Sequence, residues 1–271
     1  MSVPVVFLSK TIGTPCSYIK FSTSMASKFN DNVYLIGDDG NERYANCKFE
    51  SLSKYDSSHA AFDDAYVHMS TLHPGIEKFC FSRWFILRDF MIEHGYDKVL
   101  HLDTDILFFS NATTEFNRFN HLECALSGRT SGHSSYWTLE GLSNFCDYVL
   151  YVYSNCKSFE FHRLASVREV RKKFGLDGGV CDMTLLEHYA RYKAPHLVGE
   201  VSIMSEGPYY DHIICASEGF SCKEGKKDVQ YQNGKPFCIH EKSGKKVWFA
   251  TLHFQGANNK SLMKKHYDLS F

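Results

Sequence analysis

No Cys-x-x-Cys pair occurs among the ten cysteines, and no zinc framework can be drawn through them. No stretch approaches the ~20 apolar residues that a membrane-spanning helix needs. An excess of one charge is also missing. Thirty Lys and Arg stand against 31 Asp and Glu, so no general basic surface exists and nucleic acid is not an expected partner. Internal repeats and low-complexity tracts are absent, which removes solenoids and arrays. The opening Met1–Lys10 has no basic start, and its apolar run is too short for a secretory signal. It reads as a first strand. The cysteines are then expected to be reduced thiols of a cytoplasmic protein, with Cys222 and Cys238 the pair that an oxidising setting would bridge.

Aromatic residues are abundant. Phe 22 and Tyr 16 within 271 residues suggest a thick core and a cleft lined by flat rings. The chain is long enough for one large α/β domain. Val5–Leu8 and Asn32–Ile36 read as strands, the second stopped by Gly37-Asp38-Asp39-Gly40, with a helix over Ser17–Phe29 between them. Strands spaced by helices predict a Rossmann-like, mostly parallel sheet with helices on both faces. Asn41–Pro74 is polar and reads as irregular structure with short helix. Glu77–His94 is the clearest helix. Cys80, Trp84, Leu87 and Met91 recur at helical spacing, and Gly95 stops it.

Downstream, Leu122–Ser127 is a short strand and Gly128–Ser135 a Gly/Ser/His loop. Leu142, Phe145, Cys146, Val149, Leu150 and Tyr153 form a helical stripe. Ser166–Phe174 is a charged surface helix, and Gly178-Gly179 opens a helix over Thr184–Tyr192. Lys223–Lys246 is hairpin-like around Gln232-Asn233-Gly234-Lys235, and Val247–Phe254 is a last strand.

The stretch Lys98-Val99-Leu100-His101-Leu102-Asp103-Thr104-Asp105-Ile106-Leu107-Phe108-Phe109 carries the chemistry. Its branched apolar residues read as a buried strand, and residues two apart in a strand share a face. Two adjacent carboxylates in an apolar segment repel and lose hydration, and a divalent cation between them relieves both costs. The apolar residues resume after Asp105, which fits poorly with a plain turn. In an open α/β sheet the ligand cleft lies beyond the carboxyl ends of the strands, where Asp103 and Asp105 fall.

The order of apolar strand, Asp-x-Asp, Gly-Gly-x-x-Asp and late His-x-x-Gly-x-x-x-Lys resembles the nucleotide-sugar glycosyltransferases of the A fold, closest to glycogenin-like and lipopolysaccharide galactosyltransferase-like enzymes. The resemblance spans Val5–Lys260 in element order and is specific at Val99–Phe109 and His253–Lys260. It implies one glycosyltransferase domain over residues 1–271, with a nucleotide-binding half at about 1–110 and an acceptor-binding half at about 111–271. By resemblance, Asp103, Asp105 and His253 bind Mn²⁺ or Mg²⁺, and Asp103 with the metal grips the diphosphate of a nucleoside-diphosphate sugar. Lys260 stands near the diphosphate-binding lysine, although the family has one residue fewer before it and follows it with Pro-Trp where this chain has Ser261-Leu262. Arg83 matches the arginine that reaches the donor from the preceding helix. Arg88 instead suits a wet-face pair with Asp89 or Glu93.

Chemically, negative charge grows on the leaving phosphate as the sugar departs, and a divalent ion and a lysine stabilise it. Ser9, Lys10, Asp38 and Asp39 close the first two strands, where the nucleoside would lie, and an Asp-Asp-Gly turn explains the two aspartates equally well. Asp182 and Asp211 are the candidate catalytic carboxylates. Asp182 also suits a helix cap, and Asp211 belongs to an aromatic loop, Gly207–His212, suited to sugar stacking. His133, Tyr136 and Trp137 are candidate acceptor contacts. The resemblance implies a glycan or glycoconjugate hydroxyl as acceptor. Two other readings share the Asp-x-Asp: a phosphohydrolase using it as nucleophile and acid, and a catalytically silent sugar-nucleotide-binding protein.

Overall fold

The computed structural model describes residues 2–11, 16–205 and 207–271. Two apolar runs start the chain as adjacent strands, β1 (Val5–Ser9) and β2 (Val33–Gly37), separated by helix Ile19–Phe29. The polar stretch that reads as irregular in sequence contributes an edge strand, β3 (Lys48–Ser51). Helix Pro74–His94 then leads through left-handed Gly95 (φ 66°) into β4 (Lys98–Leu102). Next come β5 (Ile106–Phe108), β6 (Cys124–Ser127), β7 (Ser131–Thr138), β8 (Val198–Glu200) and β9 (Tyr209–Tyr210). A small hairpin of β10 (Cys222–Lys223) and β11 (Lys226–Lys227) precedes β12 (Gln230–Gln232), β13 (Lys235–Ile239) and β14 (Lys246–His253).

Seven strands form the main sheet in the order β3-β2-β1-β4-β7-β6-β8. β1 is parallel to β2 and β4, β2 to β3 and β6 to β8; β7 alone runs against its neighbours. Side-chain alternation splits the core between the two faces. Val6, Leu8, Tyr34 and Ile36 pack beneath helices Pro74–His94 and Leu139–Ser154. Val5, Phe7, Val33 and Leu35 pack on the other face with Ile19 and Ala26 of the first helix. The mostly parallel sheet with helices on both faces is therefore as expected.

The run 98–109 differs from expectation. It is not one strand carrying both aspartates on a shared face. β4 ends at Leu102, and Asp103-Thr104-Asp105 forms a turn closed by Ile106 N–H to the Asp103 carbonyl at 3.2 Å. Ile106–Phe108 then joins a second sheet, β12-β13-β14-β5, pairing with Thr251–His253 of β14. The apolar residues after Asp105 are buried because the chain changes sheets, which periodicity along one segment does not reveal.

The expected loop Gly128–Ser135 is largely strand β7. Its serines, His133 and Gly132 are buried between β4 and β6, hydrogen-bonded along both edges. Gly132 is needed there, because a Cβ at that position would lie 2.4 Å from the Trp84 ring. The expected helix after Gly178-Gly179 starts earlier, at Asp182, and after His188 continues as a π-helical turn over Tyr189–Lys193. Asn233 and Gly234 both have positive φ (53° and 72°), as a two-residue hairpin turn requires. Cys222 and Cys238 are free thiols. No described helix is long and apolar enough to cross a membrane.

Candidate active site

β1, β2 and β4 lie side by side and parallel, so their carboxyl ends share one edge of the sheet. Ser9, Lys10, Asp38 and Asp39 stand where β1 and β2 end. Asn41 donates to Ser9 Oγ at 3.1 Å, the Thr11 backbone N–H donates to Asp38, and Ser51 donates to Asp39 at 3.2 Å. Lys10 is exposed. Asp103 follows β4 at the same edge, its N–H donating to the His133 carbonyl at 2.8 Å.

Asp103 is tied to a cation of the protein itself. Arg83 Nη1 donates to Asp103 Oδ1 at 2.7 Å, while Nη2 donates to Asp182 Oδ2 at 2.6 Å. The Trp84 indole N–H also donates to Asp182 Oδ2, at 3.1 Å. Arg83 and Trp84 are adjacent on helix Pro74–His94, and Asp182 opens the helix facing it. His101, fully buried, donates from Nδ1 to the Val6 carbonyl at 3.2 Å and turns Nε2 to Asp103 Oδ1 at 3.4 Å. Burial alone would raise the Asp103 carboxyl; the Arg83 guanidinium outweighs it and holds the group well below the usual carboxylate range. Burial keeps the His101 imidazole neutral, below its ordinary value.

Asp105 faces a different set. His253 Nε2 lies 3.4 Å from its Oδ1 and Lys260 Nζ lies 3.3 Å from its Oδ2. Lys260 also lies over the Tyr18 ring, 5.0 Å from the centroid. Burial would lower both His253 and Lys260, but Asp105 raises each above its ordinary value. His253 donates from Nδ1 to the His212 carbonyl at 2.5 Å, which leaves Nε2 as the nitrogen turned to Asp105. A carbonyl behind one ring nitrogen is the arrangement that orients a metal-ligating imidazole. The His133 ring stacks on His253, centroids 4.3 Å apart, and burial with the nearby His253 holds it neutral. Two carboxylates and an imidazole suit Mn²⁺ or Mg²⁺. Asp105 and His253 already adjoin, whereas Asp103 is turned to Arg83. Among the described residues no three His, Cys, Asp or Glu side chains stand ready to hold a metal ion.

Asp211 is not open to a substrate. Its side chain is fully buried, paired with Lys227 Nζ at 2.8 Å, and its Oδ2 accepts the His253 backbone N–H at 2.9 Å. Lys227 also reaches Glu218 at 2.6 Å and the Ile213 carbonyl at 2.7 Å; burial would lower it, and Asp211 with Glu218 holds it charged. Asp211 therefore acts on the site through His253. Nor is Asp182 the N-cap, which is Cys181; it is the first helical residue, and both its oxygens are engaged. Tyr136 and Trp137 are core residues, fully buried. Arg88 pairs with Asp89 at 3.0 Å, as expected.

Trp84, His101 and Lys227 had no signal of their own in the sequence. Trp84 and His101 are the polar-capable members of apolar runs, each within two residues of a site residue, and that adjacency is the clue available.

No family model matches the chain, and no curated protein matches it. Similar solved structures include mouse xyloside xylosyltransferase 1 in its apo form, at 10% identity and TM-score 0.49, covering 74% of this chain and 86% of the other. A glycosyltransferase involved in glycosylation of the major capsid of PBCV-1 is similar at 10% identity and TM-score 0.45, covering 97% and 99%. The galactosyltransferase LgtC, in complex with donor and acceptor sugar analogs, is similar at 11% identity and TM-score 0.45, covering 99% and 95%. At these values neither substrate nor chemistry passes from those proteins to this chain.

Proposed function

We propose that the protein is a metal-dependent glycosyltransferase that moves a sugar from a nucleoside-diphosphate sugar to a hydroxyl of a glycan or glycoconjugate. The observation that carries this reading is the convergence of Asp103, Asp105 and Asp182 with Arg83, His253 and Lys260 at the carboxyl edge of β4, beside the ends of β1 and β2. That edge is where open α/β sheets bind nucleotides.

In this reading the nucleoside lies over Ser9, Lys10, Asp38 and Asp39, whose carboxylates accept hydrogen bonds from ribose or base. Asp103, Asp105 and His253 hold Mn²⁺ or Mg²⁺, which when bound stabilises charge on the departing diphosphate. Lys260 exchanges Asp105 for a phosphate oxygen and adds a point charge there. Arg83, held by Asp182 and lying over the Trp84 ring, turns the arm that binds Asp103 to the donor once Asp103 takes the metal. Asp182 borders the donor sugar as the candidate catalytic carboxylate, and Asp211 keeps His253 in place. The His253-x-x-Gly256 tail leans toward retention of anomeric configuration. Residues up to about 110 supply most of the nucleotide side, joined there by His253 and Lys260, and the remainder mainly serves the acceptor. A phosphohydrolase reading is disfavoured because the Asp-x-Asp follows β4 in mid-chain rather than the first strand, with Leu107 where such enzymes carry Thr or Val.

The test is incubation with a panel of nucleoside-diphosphate sugars and Mn²⁺. Release of nucleoside diphosphate, dependent on Mn²⁺ and lost in Asp105→Ala, is expected. Phosphate release from simple monoesters, or binding with no turnover, would overturn the proposal.

A further inference from the structure

One buried acid near this site has no task in the mechanism above. Glu77 lies in the first turn of helix Pro74–His94, six residues before Arg83, and is 2% exposed. Among the described residues its Oε2 has no hydrogen-bond partner, although Ser70 bonds the carboxyl group. Among those residues no lysine or arginine pairs with it, which is unusual for a carboxylate so far from water. Glu77 lines a cavity of ≈ 410 Å³ between this helix and the segment Gly178–Glu187. Two backbones meet closely at its wall. Ser70 and Gly179 form an isolated bridge, and a Cβ on Gly179 would lie 2.2 Å from the Met69 carbonyl.

The walls have two characters. Ser70, Glu77 and Thr184 supply hydroxyl and carboxyl groups, while Leu72 (50% exposed) and Met183 (44% exposed) supply an apolar rim. Arg171 also lines the cavity, but its guanidinium donates to the Asp177 carbonyl. Carboxyl and hydroxyl groups beside apolar side chains suit a neutral sugar, whose hydroxyls need acceptors and whose ring faces carry C–H. An anionic ligand would be disfavoured beside Glu77 and Glu187, which also lines the cavity. The neighbouring Asp182 also bears on Glu77 directly: burial first, and Asp182 second, push its carboxyl up to about 7.

We propose that this cavity is a subsite for a neutral carbohydrate acceptor and that Glu77 is its specificity-determining residue, taking a hydrogen bond from a ring hydroxyl. The proposal rests on the transferase reading, because it gives the cavity next to Asp182 to the acceptor. A carboxylate hydrogen bond of this type is lost with roughly tenfold or greater weakening.

The experiment needs no donor. Methyl α- and β-glycosides of glucose, galactose, mannose and xylose are titrated against the full chain by saturation-transfer NMR. At least one glycoside is expected to bind, with affinity falling about tenfold in Glu77→Ala and partly restored in Glu77→Gln. Leu72→Trp, which narrows the exposed rim without touching the core, is expected to block the same glycoside. Overturning results are no binding by any glycoside, or binding unchanged in both Glu77→Ala and Leu72→Trp. Should glycosides bind at Glu77 while no nucleotide sugar is turned over, the transferase reading falls and the subsite stands.

Discussion

Arg83 and Asp182, 99 residues apart in the chain, meet at 2.6 Å, and the other arm of the same guanidinium reaches Asp103 at 2.7 Å. One side chain thus joins the helix before β4, the turn after it and the helix that opens beyond Gly179. Removing it leaves the largely buried Asp182 without its charge partner. Arg83→Ala is expected to lower stability by about 3 kcal/mol, read by chemical denaturation. Arg83→Lys restores charge but not the two-armed fork, so it regains only part of that stability and leaves nucleotide-sugar turnover reduced roughly tenfold or more. Wild-type stability for Arg83→Lys would show that the fork is dispensable.

Asp105 is bounded by His253 and Lys260 rather than by Arg83. Asp105→Ala should therefore leave the melting temperature close to that of the wild type while abolishing Mn²⁺-dependent donor binding in calorimetry. An unchanged donor affinity would remove Asp105 from the site.

His253 presents Nε2 because Nδ1 is held by the His212 carbonyl. Replacing it with alanine is expected to weaken Mn²⁺ binding by roughly 10- to 100-fold in a metal titration. Asp211→Asn should reproduce a smaller share of that loss, since Asp211 anchors the His253 backbone. It should also destabilise the protein by about 3 kcal/mol by leaving Lys227 short of a buried partner.

Glu77 gives a pH dependence of definite sign. Its carboxyl is raised from 4.5 to about 7 in the folded protein. The native state therefore binds the proton more tightly than the unfolded chain, and this contribution to stability is fully present below 4.5 and lost as pH rises through about 7. Glu77→Gln does not titrate. Its melting temperature relative to wild type should rise between acidic pH and pH ~8. A difference independent of pH, measured by scanning calorimetry, would contradict the assignment.

Much of this architecture was readable from local pattern. Val5–Leu8 and Asn32–Ile36 are apolar because a parallel sheet buries both faces, and the 98–109 run is apolar because it is buried in one sheet and then in another. The stripe Cys80, Trp84, Leu87 and Met91 is helical because that helix packs on the sheet. The hairpin at Asn233-Gly234 follows from backbone conformations that those two residues tolerate. The misreadings share a cause. Gly128–Ser135 is small and polar, which signals a loop, yet it fills the gap between β4 and β6 and gives Trp84 its space. Asp103 and Asp105 looked like one pair on one strand, yet β14 captures Ile106–Phe108 and turns the two carboxylates to different partners.

Sequence alone determined the first strands, the main helices, the mid-chain Asp-x-Asp and the late histidine and lysine, because hydrophobic periodicity and residue chemistry are local properties. Tertiary structure decided which charges neutralise one another. Arg83 bridges Asp103 and Asp182, Asp211 is sealed against Lys227, and Glu77, bonded by Ser70, has no cationic partner among the described residues beside its cavity. Those outcomes depend on contacts between segments tens of residues apart, and on how much water each carboxylate keeps, neither of which is encoded in the spacing of residues along the chain.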